Sequence, residues 1–213
     1  VGRVTCSVDG SGVIVIPEQL LQSLSACDKA AFSFVQTTLR NSLFDFLMPL
    51  VGEKWNWLVP VMSVFLYFFV KDKRGGAWLL LSSVLLILWV DAVATVLKGE
   101  FLRFRPQQSL SELGMLIQRP ASSSFPSNHA ANSFALATLL AFYHPKIAWV
   151  FFAAASLVAF SRVYVGDHYP LDVLGGALLG TAFAVAGAGI VRLFRRRQGK
   201  HQHRSGTRSI PSV

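Results

Sequence analysis

Charge is scarce in this chain, and the scarcity is uneven. Only 15% of its 213 residues are charged against 53% that are apolar, and several long stretches carry almost no charge, which excludes an ordinary soluble domain. Cysteine is nearly missing too. Cys6 and Cys27 have no CxxC spacing and no neighbouring histidine, which argues against a metal site and leaves a disulfide or two free thiols open. No acidic cluster is present to hold magnesium, and Asp167, beside His168, lacks acidic partners, so neither a metal nor a cofactor is expected. Residues 1–26 lack the charged start, apolar core and small-residue cleavage site of a secretory signal. They are expected to form a poorly defined segment.

What the chain does contain is apolar runs of membrane-crossing length. The pattern predicts an all-α fold, a polytopic membrane helical bundle of about five transmembrane helices over 27–194, as a single domain. Spans are expected from Trp55 to Val70, Gly75 to Leu97, Asn128 to Tyr143, Ile147 to Ser161 and Val173 to Val191. Trp55 and Trp57 would mark the interface of the first. Before them, from Ala26 to Val51, Phe32, Val35, Leu39, Leu43 and Phe46 recur at helical spacing, while Asp28, Lys29, Arg40, Asn41 and Asp45 interrupt the run. That pattern suits an amphipathic helix lying in the interface. Gly176 and Gly180 make a GxxxG step that would let neighbouring helices approach closely.

The net charge of +9 sits in short loops and at the C-terminus, beside apolar runs, which fits positive-inside anchoring better than nucleic acid. Residues 195–213 form a basic tail with little to bury, for which disorder is expected. With five spans, Lys71, Lys73, Arg74, Lys146 and the basic tail share one side, which the charge bias assigns to the cytoplasm. The opposite helix ends then face outward, toward the periplasm or exterior of a cell whose inner (cytoplasmic) membrane holds the protein.

Ionisable groups inside or at the ends of spans are functional candidates, because exposing them to hydrocarbon costs about 2.5–3.5 kcal/mol. Asp91 lies mid-span, two turns before Lys98 on the same helix face; the plainer account of it is a buried, hydrogen-bonded acid. Three groups gather at the outward ends. The first is Lys98 with Arg105 and Pro106, the second Pro126, Ser127, Asn128 and His129, the third Ser161, Arg162, His168 and Asp172. A long polar connection, Gly99 to Phe125, separates the first two, and its middle, SLSELGMLIQ, could form a short helix over the site. Cations, imidazoles and a carboxylate converging at a membrane face suit phosphoryl transfer, whose transition state spreads negative charge over oxygens.

These three motifs, in this order and at these spacings, resemble the tripartite signature of the type 2 phosphatidic acid phosphatase superfamily of lipid phosphatases. The resemblance covers about Trp55 to Val191. It implies His168 as nucleophile, Asp172 as the carboxylate orienting it, and His129 as general acid. Lys98, Arg105, Arg162 and Ser127 would cradle the phosphate. Asn128 departs from the family's commoner glycine and bears on substrate fit. The implied reaction removes a terminal phosphate from a lipid phosphomonoester or diphosphate through a phosphohistidine, without a metal and therefore in the presence of chelator. Substrates in the family include undecaprenyl diphosphate, phosphatidylglycerol phosphate, phosphatidic acid and lipid A phosphate. The expected partners are the lipid substrate and the bilayer. Two alternatives stay open: a phosphotransferase with an acceptor other than water, and an anion transporter, for which internal repeats and interrupted spans are missing.

Overall fold

The computed structural model describes residues 7–8, 14–15, 18–109 and 123–206, with side chains over 18–107 and 123–189. Two short strands, β1 (Ser7–Val8) and β2 (Ile14–Val15), pair antiparallel, and the rest of the described regular structure is helical. The helices are α1 (Glu18–Thr38), α2 (Ser42–Gly52), α3 (Leu58–Lys71), α4 (Lys73–Glu100), α5 (Pro106–Ser109), α6 (Asn128–Tyr143), α7 (Ala148–Tyr164) and α8 (Pro170–Gly206). Single 3-10 turns precede α3 and α7.

Among the described residues, three segments are long and apolar enough to cross a bilayer: Lys73–Glu100, Pro145–Tyr164 and Pro170–Gly189. Two of the five expected spans are shorter, α3 with 14 residues and α6 with 16. Sixteen residues rise only about 24 Å, less than the ~30 Å of a hydrocarbon core. Protein rather than lipid surrounds α6, which packs on α4, α7 and α8. Its small residues make that possible: Ala130, Ala131, Ala135 and Ala137 are all buried, so neighbouring backbones come close. A Cβ on Gly176 would collide with Ser127 O and one on Gly180 with Ala131 O. The GxxxG step of α8 therefore presses its backbone against α6. Around this centre Val59, Leu66, Trp78, Leu88, Trp89, Val96, Trp149 and Leu178 point outward, the apolar surface that lipid tails would cover.

The N-terminal part differs from the single interfacial helix expected over Ala26 to Val51. It is two helices, because Asn41 starts a new one: its side chain accepts from Phe44 N at 2.9 Å, a capping bond that Asn makes readily. Helix α1 also begins earlier, at Glu18, and is docked rather than floating. Phe32 is buried against Tyr169 with ring centroids 5.3 Å apart, in a cluster with Ala130, Ala159, Val163 and Val173. Burying such a side chain contributes about 1.5–3 kcal/mol.

A further difference concerns the C-terminal end. Helix α8 runs to Gly206, into the basic segment from residue 195 for which disorder was expected. A helix already nucleated in the bundle extends without a new nucleation cost, and its Arg and Lys residues are good helix formers. Residues 110–122, which hold most of SLSELGMLIQ, lie outside the described residues. So does Cys6, while Cys27 is a free, exposed thiol.

Candidate active site

Four helix ends meet on one side of the bundle: the C-termini of α4 and α7 and the N-termini of α6 and α8. Each brings one part of the site. From the last turn of α4, Lys98 Nζ donates to Ser123 O at 2.9 Å. Ser123 in turn ties the two chain segments together, since its Oγ accepts from Arg103 N at 3.1 Å and Ser124 N donates to Arg103 O at 2.8 Å. Residues 103–105 are thereby held against residues 123–125, and the basic side chains leave that junction toward the loop that carries His168.

That loop joins α7 to α8. Gly166, at φ 84°, supplies the left-handed turn that a residue with a side chain rarely adopts. Asp167 N and His168 N then both donate to Arg162 O, at 3.1 and 3.2 Å, which turns the His168 ring into the interior, where it is 2% exposed. Pro170 opens α8 at its first position, as its fixed φ favours.

The carboxylate of Asp172 sits behind the ring. His168 Nδ1 is 3.8 Å from Asp172 Oδ2, too far for a hydrogen bond, and Ser124 occupies the gap. Its Oγ lies 3.4 Å from His168 Nδ1 and donates a short hydrogen bond to Asp172 Oδ2. With its proton given to Asp172, Ser124 can accept from Nδ1–H. That tautomer leaves Nε2 with its lone pair free. Asp172 also accepts from Tyr169 N at 2.8 Å and from Arg103 Nη1 at 2.6 Å, while its own carbonyl takes Ser127 N at 3.0 Å. This last bond fixes the start of α6 on the start of α8.

On the open side stand the cations. Arg162 Nη1 donates to Gly52 O at 2.9 Å, an approach that a Cβ on Gly52 would obstruct, and Nη2 is paired with Asp167. Arg105 Nη1 lies 3.8 Å from the same carboxylate. Asp167, unpartnered by other acids in the sequence, thus gathers two arginines. Among the described residues no three His, Cys, Asp or Glu side chains are grouped to hold a metal ion. Lys98 and Arg105 act electrostatically on His168, and Arg162, Asp167 and His168 on His129, so all three motifs share one centre. Two buried donors there, Ser127 Oγ and Arg162 Nε, have no hydrogen-bond partner among the described residues. Such atoms are costly in a protein interior unless a ligand satisfies them. An anion with several oxygens would do so.

Asp91 takes the plainer of its two roles. Its Oδ1 accepts from Asn128 Nδ2 at 2.7 Å and from Asn132 Nδ2 at 3.3 Å, so it pins the first turn of α6 to α4. Asn128, standing where glycine was the commoner choice, thereby gains a structural partner. Sequence reasoning missed Ser124, Arg103 and Asp28. The serine run and the doubled arginine before Pro106 were visible, but nothing local marked what they would touch.

Two histidines, three cations and unsatisfied donors gathered at one end of an apolar helical bundle suit the handling of a phosphate at a membrane surface. The chain belongs to the PAP2 superfamily, whose family model matches residues 76–197. It is 33% identical over 150 residues to the undecaprenyl-diphosphatase of Sulfolobus acidocaldarius, covering 70% of this chain and 69% of that one. To the lipid A 4'-phosphatase of Porphyromonas gingivalis it is 27% identical over 150 residues, 67% of this chain and 64% of the relative. The fold is similar to the crystal structure of a transmembrane PAP2 type phosphatidylglycerolphosphate phosphatase from Bacillus subtilis, with a TM-score of 0.59 and 25% identity over 80% of this chain and 87% of that one. The protein is accordingly a membrane phosphoric monoester hydrolase or diphosphatase acting on lipids.

Proposed function

We propose that the protein removes a terminal phosphate from a lipid phosphomonoester or diphosphate through a phosphohistidine at His168, on the outer face of the membrane. The observation that carries this reading is the buried imidazole of His168, backed at Nδ1 by Ser124 and Asp172. The Nε2 lone pair attacks phosphorus and the bond to the leaving oxygen breaks. His129 delivers a proton to that oxygen, a contribution of about 10²–10⁴ in rate for a well-placed acid. Water then attacks the phosphoryl group, giving a proton back to His129, and the P–N bond breaks to release phosphate. Lys98, Arg105 and Arg162 supply positive charge where the equatorial oxygens become more negative, and Ser127 Oγ and Arg162 Nε add hydrogen bonds. The N-terminus of α8 adds its dipole.

Among candidate lipids a polyprenyl diphosphate is favoured, on the 33% identity to a relative named for that activity. A phosphate-release panel on purified protein tests this, with undecaprenyl diphosphate, phosphatidylglycerol phosphate, phosphatidic acid and lipid A as substrates. The highest kcat/KM is expected on the diphosphate. A preference of tenfold or more for one of the monoesters would overturn the substrate assignment, and transfer of phosphate to an added acceptor in place of water would overturn hydrolysis.

A further inference from the structure

The family match begins at residue 76, so α1 lies outside it. Even so, α1 reaches the catalytic centre through one acid. Asp28 is 3% exposed, and both its oxygens are used: Oδ1 accepts from Leu171 N at 2.8 Å and Oδ2 is paired with Arg103 Nη2. The other end of the same guanidinium, Nη1, donates to Asp172 Oδ1 at 2.6 Å. Between them Arg103 lies over the Tyr169 ring, 4.4 Å from its centroid. One cation is therefore shared by two carboxylates whose side chains are both 0% exposed. The planar fork of arginine suits this double engagement.

The sharing has an electrostatic consequence. An arginine belonging to Asp172 alone would cancel its charge, and the ring of His168 would be backed by a neutral pair. With Asp28 on the far side, two negative charges face one positive, and net negative charge remains behind the ring as it becomes cationic in the attack. We propose that Asp28 is a positioning residue for the nucleophile: it holds Arg103 and the first turn of α8, and through them sets the place and the effective charge of Asp172. The inference rests on His168 being the nucleophile.

The other charged groups acting on His168 are Lys98 from α4, Arg105 from the following connection and Asp172 from α8, while His129 of α6 feels the His168 ring in turn. Arg162 and Asp167 lie on its own side of the α7–α8 turn. None of these is changed by a substitution in α1. In Asp28→Asn the charge of Arg103 falls on Asp172 alone, so the neutral ring is favoured further and its nucleophilicity drops. In Asp28→Asn with Arg103→Gln, Asp172 keeps its negative charge uncompensated, and the protonated ring is favoured instead.

The experiment compares steady-state kinetics and pH profiles of the full chain and these two variants, in detergent, on the lipid phosphate that the wild type turns over best. Asp28→Asn is expected to lower kcat about tenfold, equivalent to roughly 1.4 kcal/mol, with KM within about twofold. Its acid limb should move to lower pH, and that of the double variant to a pH above the wild-type limb. Limbs that stay together, or an effect on KM alone, would show a merely structural contact and overturn the proposal. Should Asp28→Asn not fold, the double variant still decides by the direction of its limb. His168→Ala serves as the reference: full activity there would defeat the mechanism itself, whereas an inactive His168→Ala beside an unaltered Asp28→Asn defeats only the role of α1.

Discussion

Opposing influences meet on the ring of His168. Burial pushes its imidazole down, Asp172 pulls it up, and the cations Arg105 and Lys98 push it down again, so the balance lies below the ordinary value of 6.5. A nucleophile must be neutral, and a lowered pKa keeps it neutral in more acidic solution. The acid limb of kcat/KM is therefore expected below pH 6.5; a limb at or above that value would contradict the burial argument. At this scale the sequence showed the groups proposed to react and hid what they touch. His168 and Asp172 stand four residues apart, a local relation that spacing alone reveals. Ser124 reaches Asp172 across 48 residues, Arg103 across 69, and Arg103 finds Asp28 across 75. Such pairings have no local signature. They exist only once helix ends have been brought together, and Asp28, read as an interruption of an apolar pattern, proves to be the residue that pattern carries into the site.

Among the elements, the contact between α6 and α8 decides where the motifs stand relative to one another. Ser127, Asn128 and His129 open α6, Asp172 lies in the first turn of α8, and the two backbones are in contact two turns further down. Gly180 permits this, because a Cβ there would meet Ala131 O. Gly187, on an exposed stretch of the same helix, has no atom within 4 Å of a built Cβ. Gly180→Ala is thus expected to destabilise the bundle by about 1–3 kcal/mol through overpacking. Gly187→Ala should be neutral or stabilising by up to about 1 kcal/mol. Thermal midpoints of the two variants in detergent check the contrast, and equal midpoints would refute it. The GxxxG step was legible because small residues four apart have few other uses in a span. The break at Asn41 was not, since apolar residues keep helical spacing across it and only the cap bond to Phe44 reveals two helices.

At the scale of the described molecule, the membrane helices alternate in direction and put the three motifs on one face. Apolar runs that cross and return leave alternate ends on one face whether the connection is short or as long as Gly99 to Phe125, which is why the fold class and the gathering of the three motifs could be read before any geometry was known. Which helices span without help could not. The small residues that bury α6 relieve it of the length a lipid-facing helix needs, and hydropathy does not distinguish the two cases. One covalent bond, from the His168 ring to phosphorus, decides the mechanism. Turnover of a radiolabelled lipid phosphate by the purified full chain, quenched rapidly and mapped by mass spectrometry, should show an acid-labile, alkali-stable phosphoryl group on His168, and His168→Ala should neither carry the label nor release phosphate. A label on any other residue, or phosphate release by His168→Ala at the wild-type rate, would contradict it.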